Sequence, residues 1–347
     1  MSQSKLINGK ELADQIRAKL IGIVTKLSIT PQLAIVQIGQ RSDSNVYIKL
    51  KKQFADSVGV QVKHVLLDRT VTQKEVEHEI DQLNEDDAIH GIITQLPFES
   101  DHPIDQERII NRIHSNKDVD GLTAINSGNL LHGNLSKIYL PCTPYGCLEL
   151  IKQTGRPIAG SNAVVIGRSE IIGSPMAQLL LWHDATVTIC HSKTKNLAEI
   201  CRNADILVVA IGQPLYIKKD WIKPGAVVID CGINSISDPT KKSGQRLVGD
   251  IQFDEAKEVA GYITPVPGGV GPMTVAMLIN NTVESARRII RNYSILIQLK
   301  ANVTRQINKI KHFQKILQDY RIRKCKISMM TYKTISNRIK NIMNHKL

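Results

Sequence analysis

The stretch Ala163-Val-Val-Ile-Gly-Arg-Ser-Glu-Ile-Ile-Gly-Ser-Pro175 decides the fold, because an apolar run drops into a glycine turn and then into an apolar helix. Ala163 to Ile166 have the uninterrupted apolar character of a buried strand, and Met176 to Trp182 repeat apolar residues at helical spacing. Gly167 and Gly173 let backbone come close to whatever sits at the turn. The free N–H groups and positive end of the helix that follows predict a place for a pyrophosphate. The pattern Gly-Arg-Ser-x-x-x-Gly differs from the G-x-G-x-x-G of dinucleotide sites, and an ordinary β–α connection reads the same residues as well.

Working downstream, Thr186 to Cys190, Ile206 to Ile211 and Ala226 to Asp230 read as three further apolar strands, with helix-forming segments between the first strands. A parallel α/β sheet is the economical architecture. In NAD sites an acid commonly ends the second strand and holds the ribose 2′-hydroxyl. Here His191-Ser192-Lys193 takes that place, and the next acid is Glu199. Arg168, Ser192 and Lys193 suit an anionic 2′-phosphate, which predicts NADP; the alternative is that the two cations are simply solvated.

Upstream, Leu12, Ile16, Leu20 and Ile23 give the segment Leu6 to Ser28 a helical rhythm. Leu33–Gly39, Val62–Leu67 and Gly91–Leu96 read as strands, separated by helices over Ser42–Val58 and Gln73–Asn84. Two successive β-α-β units predict a second, small parallel sheet, whose ligands bind at the carboxyl ends of the strands. Polar residues gather at that edge. Tyr47 and Lys51 lie four apart and so share one helix face, Gln95-Leu-Pro97 ends the third strand, and Lys117-Asp-Val-Asp-Gly121 lies beyond the next helix. Each alone also reads as surface decoration, a strand cap or a turn. Pro141-Cys-Thr-Pro144 breaks the chain before a helix over Tyr145–Thr154, and places a domain boundary near residue 141. Thr264-Pro-Val-Pro-Gly-Gly-Val-Gly-Pro-Met-Thr274 packs three prolines and three glycines into eleven residues before a helix over Val275–Arg291. Such a loop is either shaped for close approach to a ligand or an interdomain hinge.

With 347 residues, 42% of them hydrophobic, the chain can fill two domains. It has no run of eighteen apolar residues, and Met1–Lys10 resembles neither a signal nor a transit peptide, so no membrane is expected. The six cysteines lack C-x-x-C spacing and read as reduced, mostly buried thiols rather than disulfides or zinc ligands. The net charge of +13 divides unevenly: residues 293–347 carry +12, with thirteen Lys and Arg against Asp319, and the remainder carries +1. Ile307, Ile310, Phe313 and Ile316 give this Gly- and Pro-free tail helical spacing. A basic arm for RNA, DNA or an anionic membrane is one reading; an appendage that meets nucleic acid only non-specifically is the one adopted, since no aromatic–basic motif accompanies the charge.

Together, Tyr47-x-x-x-Lys51, Gln95-Leu-Pro97, Lys117–Gly121, Pro141–Pro144, Gly167-Arg-Ser169, His191-Ser192 and Pro265–Thr274 resemble the bifunctional methylenetetrahydrofolate dehydrogenase/cyclohydrolase family, over about Leu6 to Arg291. The resemblance implies two parallel-sheet α/β domains with a cleft between them: a folate-binding catalytic domain over residues 1–141, rejoined by a returning helix at 275–292, and a Rossmann-like NADP domain over 142–274. A helical, basic extension over 293–347 lies outside the family pattern. The implied chemistry is NADP-dependent oxidation of 5,10-methylenetetrahydrofolate to the 5,10-methenyl form, then hydrolysis to 10-formyltetrahydrofolate, by a cytoplasmic homodimer in the one-carbon metabolism that feeds purine biosynthesis. A monofunctional relative and a nucleic-acid-binding protein are the competing readings.

By resemblance Lys51 is the principal catalytic residue, Tyr47 stacks on the folate, Gln95 assists Lys51, and Asp120 anchors the pterin. Thr94, Leu96, Pro267, Gly268, Gly269, Val270, Gly271, Pro272, Met273, Thr274 and Val275 complete the folate site, and Gly167, Arg168, Ser169, Ser192 and Ile233 contact NADP. The chemistry agrees with these residue types. Hydride transfer demands alignment more than a proton donor, whereas hydrolysis needs a base, and a protonated lysine cannot be one unless burial or a nearby cation lowers its pKa. No metal is expected. Gln53, Thr94 and Ser115 depart from the family's common lysine, aliphatic residue and proline, and none of the three removes an assigned catalytic group.

Overall fold

The segment Leu33–Ile38, apolar except for Gln37, becomes the centre of a three-stranded parallel sheet, while its neighbours in sequence wrap that sheet with helices. The computed structural model describes residues 5–241 and 244–344. A strand β1 (Lys5–Leu6) precedes helix α1 (Gly9–Val24), which Asn8 caps by accepting the Glu11 N–H at 3.2 Å. The sheet comprises β2 (Gln32–Ile38), β3 (Gln61–Leu67) and β4 (Gly91–Thr94), all parallel in the order β3-β2-β4. The crossovers are α2 (Ser42–Val58), closed by Gly59 in the left-handed region, and α3 (Gln73–Glu85), opened by a Thr72/Glu75 capping box. Two short helices follow, α4 (Gln106–Arg112) and α5 (Ala124–Leu131).

Helix α6 (Cys142–Gln153) leads into the second sheet. Its elements are β5 (Asn162–Ile166), α7 (Gly173–Leu181), β6 (Thr186–Cys190), α8 (Leu197–Arg202), β7 (Ile206–Val209) and β8 (Val227–Asp230). An antiparallel pair, β9 (Asn234–Ser237) and β10 (Gln245–Val248), forms a small sheet of its own, and after α9 (Phe253–Ala256) the strand β11 (Tyr262–Ile263) rejoins the second sheet. The six strands run parallel in the order β1-β11-β8-β7-β5-β6. The long helix α10 (Val270–Asn344) begins in this compact unit, which ends at Arg287; residues 288–347 form a second unit. Met273, Ala276, Ile279, Val283 and Ala286 of α10 are buried at helical spacing. Beside them Asn281 Nδ2 donates to the carbonyls of Val119 and Leu140, both at 2.9 Å, and Ser285 Oγ donates to His90 O. The start of α10 is thereby returned to the first sheet.

Several boundaries differ from the sequence reading. Leu6 belongs to β1 and not to a helix, and that strand joins the second sheet through Tyr262 and Ile263. The helices at 145 and 275 start earlier, at Cys142 and Val270, because Pro144 and Pro272 fall in first turns, where a missing N–H costs nothing. The strand read to Ile211 stops at Val209, and β4 stops at Thr94. In the tail, Ile307, Ile310, Phe313 and Ile316 are helical and exposed; residues 345–347, like Met1–Ser4, lie outside the described residues. Among the described residues no helix is long and apolar enough to cross a membrane, and no cysteine is in a disulfide.

Candidate functional site

The carboxyl end of β2 turns into α2, and the 17 residues of that helix place Tyr47 and Lys51 one turn apart. Lys51 Nζ donates to Gln95 Oε1 at 2.9 Å. Gln95 directly follows β4 and is itself fixed twice, its N–H donating to Val36 O at 2.8 Å and its Nε2 to Leu96 O at 3.0 Å. The amide therefore turns its oxygen to the lysine. Asp120 is the acid whose charge acts on Lys51, with the Cys142 thiol hydrogen-bonded to it. Burial pushes Lys51 below the usual lysine range and Asp120 above the usual carboxylate range, and the attraction between the two opposes both shifts. Burial holds the Cys142 thiol protonated.

The Lys117-Asp-Val-Asp-Gly121 motif separates into structural and chemical parts. Lys117 Nζ closes the end of α3 by donating to the carbonyls of Leu83, Asn84 and Asp86. Asp118 accepts from the N–H groups of Gly121, Leu122 and Thr123 and from Asn126 Nδ2. Its acceptor capacity is spent on shaping the loop, whereas Asp120 faces Lys51 and the Cys142 thiol.

A cleft of about 880 Å³ runs between α1 and α2 on one side and the ends of β8 and β11 on the other. Tyr47, Leu50, Gln53 and Phe54 line it from α2, Cys231, Gly232 and Ile233 from the loop after β8, and Pro265–Pro272 with Val275 from the Pro/Gly segment. The close approach that closes it depends on glycine: a Cβ on Gly9 would strike the Gly269 carbonyl, and Lys10 N–H donates to Gly268 O at 3.2 Å. Of the expected folate-site residues, Met273 is buried in the core, and Thr274 meets Thr143 at 3.0 Å between hydroxyls. Lys51, Thr94, Gln95, Leu96 and Asp120 are not on the cleft lining. Lys51 shares a helix with the lining residue Tyr47, and its ammonium is turned to protein and not to bulk solvent. Lys10, Asp14 and Arg17 of α1 also line the cleft and had no signal in the motif reading.

At the second sheet, Gly167 leaves β5 with φ +123°, and a Cβ there would strike Ala210 O; a Cβ on Gly173 would strike Gly167 itself. This is a cradle in which only glycine fits. The expectation of free N–H groups at the start of α7 is not met. Ser169 Oγ accepts from Ile172 and Gly173 at 3.3 and 3.4 Å, and Ser169 O accepts from Ser174 at 3.0 Å. The N-terminal amides are capped by the turn's own serine, so an anion here meets side chains. Those side chains fit one: Arg168 and Ser169 follow β5, Ser192 and Lys193 follow the adjacent β6, all four are exposed, and the two cations have no ion pair among the described residues. The donor set lacks the acid that would repel a 2′-phosphate.

Comparison with known proteins agrees with this geometry. Two family-wide sequence models match, tetrahydrofolate dehydrogenase/cyclohydrolase catalytic domain over residues 7–120 and its NAD(P)-binding domain over residues 141–290. The chain belongs to the tetrahydrofolate dehydrogenase/cyclohydrolase family. Among its relatives, human cytoplasmic C-1-tetrahydrofolate synthase is 55% identical over 84% of this chain, which spans only 32% of that protein. Bifunctional protein FolD 2 of Arabidopsis thaliana is 48% identical over 82% of this chain and 96% of its own length. The solved Trypanosoma brucei methylenetetrahydrofolate dehydrogenase-cyclohydrolase, complexed with NADP and an inhibitor, superposes with a TM-score of 0.79 at 40% identity, covering 84% of this chain and all of that one. Membership accounts for the two parallel sheets, and for the glycine cradle at the edge of the sheet inside the NAD(P)-binding region.

Proposed function

We propose that this chain oxidises 5,10-methylenetetrahydrofolate with NADP and hydrolyses the methenyl product to 10-formyltetrahydrofolate. The observation that carries the reading is the pairing of Gln95 with Lys51 beside Asp120, the lysine lying on the helix that also presents Tyr47 to a cleft bounded opposite by Ile233. Gly167, Arg168, Ser169, Ser192, Lys193 and Ile233 would hold NADP, which would supply the acceptor for the hydride of the folate's one-carbon unit. The chain's part in that step is alignment: Tyr47 offers a ring face to the pterin side, and the Pro/Gly segment lets backbone approach it. For hydrolysis, burial keeps a fraction of Lys51 as a neutral amine, which can take a proton from the attacking water, and Gln95 holds the nitrogen in place. Asp120, which Asp118's loop contacts leave facing Lys51 and the Cys142 thiol, accepts hydrogen bonds from the amino-pyrimidine edge.

The functional division follows the sequence reading, with a folate domain over 1–141, an NADP domain over 142–274 and the returning helix at 275–292. Relatives named cytoplasmic support a cytoplasmic setting, and the family resemblance supports a homodimer. A coupled assay on the full chain tests the reading by following NADPH formation with methylenetetrahydrofolate and then decay of methenyl absorbance. Lys51→Met should lower hydrolysis by roughly a hundredfold or more and lower oxidation less. Full hydrolytic activity in that variant would remove Lys51 from the mechanism.

A further inference from the structure

Asp230 and Asp250 are two buried acids the mechanism does not use, 3% and 0% exposed. Asp230 ends β8; its Oδ1 accepts from the Gly232 and Asp250 N–H groups, both at 2.9 Å, and its Oδ2 from Ile251 at 3.0 Å. Asp250 Oδ2 accepts from Ile211 at 2.8 Å and Gly212 at 3.0 Å, and its Oδ1 from Asn234 Nδ2 at 2.8 Å. The two carboxylates are interlocked through glycines. A Cβ on Gly232 would run into the Asp250 carboxylate, and one on Gly249 into that of Asp230. Each acid thus occupies space that the other's neighbouring glycine leaves open.

What the pair holds is the carboxyl edge of the second sheet. Ile211 and Gly212 follow β7, Gly232–Asn234 follow β8, and the carbonyl of Ala210 forms the floor of the Gly167 turn after β5. Ligands of parallel sheets sit at this edge. Asp230, Cys231, Gly232 and Ile233 also line the cleft, where a hydride-accepting ring must reach the folate.

We propose that Asp250, braced by Asp230, is a positioning residue for the dinucleotide, fixing the loops at 210–212 and 232–234 in the register that receives the hydride-accepting ring. The inference rests on the proposed oxidation. It touches no reacting atom and acts through backbone N–H groups and the Asn234 amide.

The test is Asp250→Asn in the full chain. The substitution keeps the volume but sets an NH₂ against either the Ile211 and Gly212 N–H groups or Asn234 Nδ2, so one side of the brace loses its acceptor. Titration with NADP alone, without folate, should show Kd raised about tenfold. In the coupled assay KM for NADP should rise by a similar factor and by more than kcat falls, and the ratio of oxidation to methenyl hydrolysis at subsaturating NADP should drop about tenfold. Asn234→Ala removes a single partner and should shift Kd for NADP in the same direction by about threefold with a smaller loss of Tm than Asp250→Asn; it decides the matter if Asp250→Asn fails to fold. Unchanged Kd for NADP in the soluble variants, or parallel loss of oxidation and hydrolysis with Kd unmoved, would overturn the proposal. Because NADP titration involves no folate, wild-type protein that binds NADP but turns over no methylenetetrahydrofolate would count against the proposed reaction and leave this assignment standing.

Discussion

The Lys51 ammonium reaches Gln95 across 44 positions of sequence and donates to its side-chain oxygen at 2.9 Å, while the same amide's nitrogen is spent on the neighbouring Leu96 carbonyl. A neutral acceptor faces the lysine. A carboxylate in that place would stabilise the ammonium and cancel the effect of burial, so the choice of glutamine over glutamate is itself a statement about protonation.

Gln95→Glu should therefore raise the Lys51 pKa back toward the ordinary lysine range and starve hydrolysis of its base. At pH 7 the hydrolysis rate should fall roughly ten- to hundredfold, and the ascending, acidic limb of its pH–rate profile should move to higher pH, with oxidation less affected. A hydrolysis profile that keeps the wild-type pH dependence would show that the glutamine does not govern the lysine's charge.

At the NADP turn, Ser192 follows β6 beside the exposed cations Arg168 and Lys193. Ser192→Asp would place a second negative charge against the 2′-phosphate and offer an acceptor to a ribose 2′-hydroxyl instead. With interaction energies of about 1–3 kcal/mol for partly solvated charges, kcat/KM for NADP relative to NAD should fall roughly ten- to hundredfold. An unchanged ratio, measured with both dinucleotides on one preparation, would exclude this serine from cofactor choice.

The two sheets were legible because buried parallel strands such as Ala163–Ile166 and Leu33–Ile38 are apolar without interruption, and period alone reveals them. Strand β1 was not, because Lys5 and Leu6 are both exposed and carry no pattern; only pairing with Tyr262 and Ile263 makes them a strand. Tyr47 and Lys51 could be paired from helical spacing, but the Lys51–Gln95 bond joins two elements and no local pattern encodes it. Likewise Asp118 and Asp120 are alike in sequence, and only their hydrogen bonds show that the first is consumed by its loop. Capping of α7 by Ser169 was hidden for the same reason: a serine beside a glycine turn can serve a ligand or the helix, and here its oxygen accepts from the helix N–H groups while its O–H can still be donated to an anion. Asp230 reads as the end of a strand and Asp250 carries no motif signal; only the structure shows that the glycines opposite them leave room for carboxylates.

That burial gives Asp230 a measurable signature. Desolvation raises its pKa from 3.8 to about 7, against the pull of three backbone N–H donors. A folded-state pKa above the unfolded one means that the native protein binds the proton more tightly. Asp230's contribution to stability is then most favourable below about pH 4, declines as pH rises from 4 to 7, and is constant beyond that. The displacement corresponds to a loss on the order of 4 kcal/mol across the window. Asp230→Asn cannot titrate, so it should lower Tm most at pH 4.5 and progressively less toward pH 8. Groups without a contact to Asp230, Asp120 among them, titrate in both proteins and cancel in the difference. Two Tm curves running parallel between pH 4.5 and 8 would mean that Asp230 is ionised throughout, and that the three N–H donors outweigh its burial.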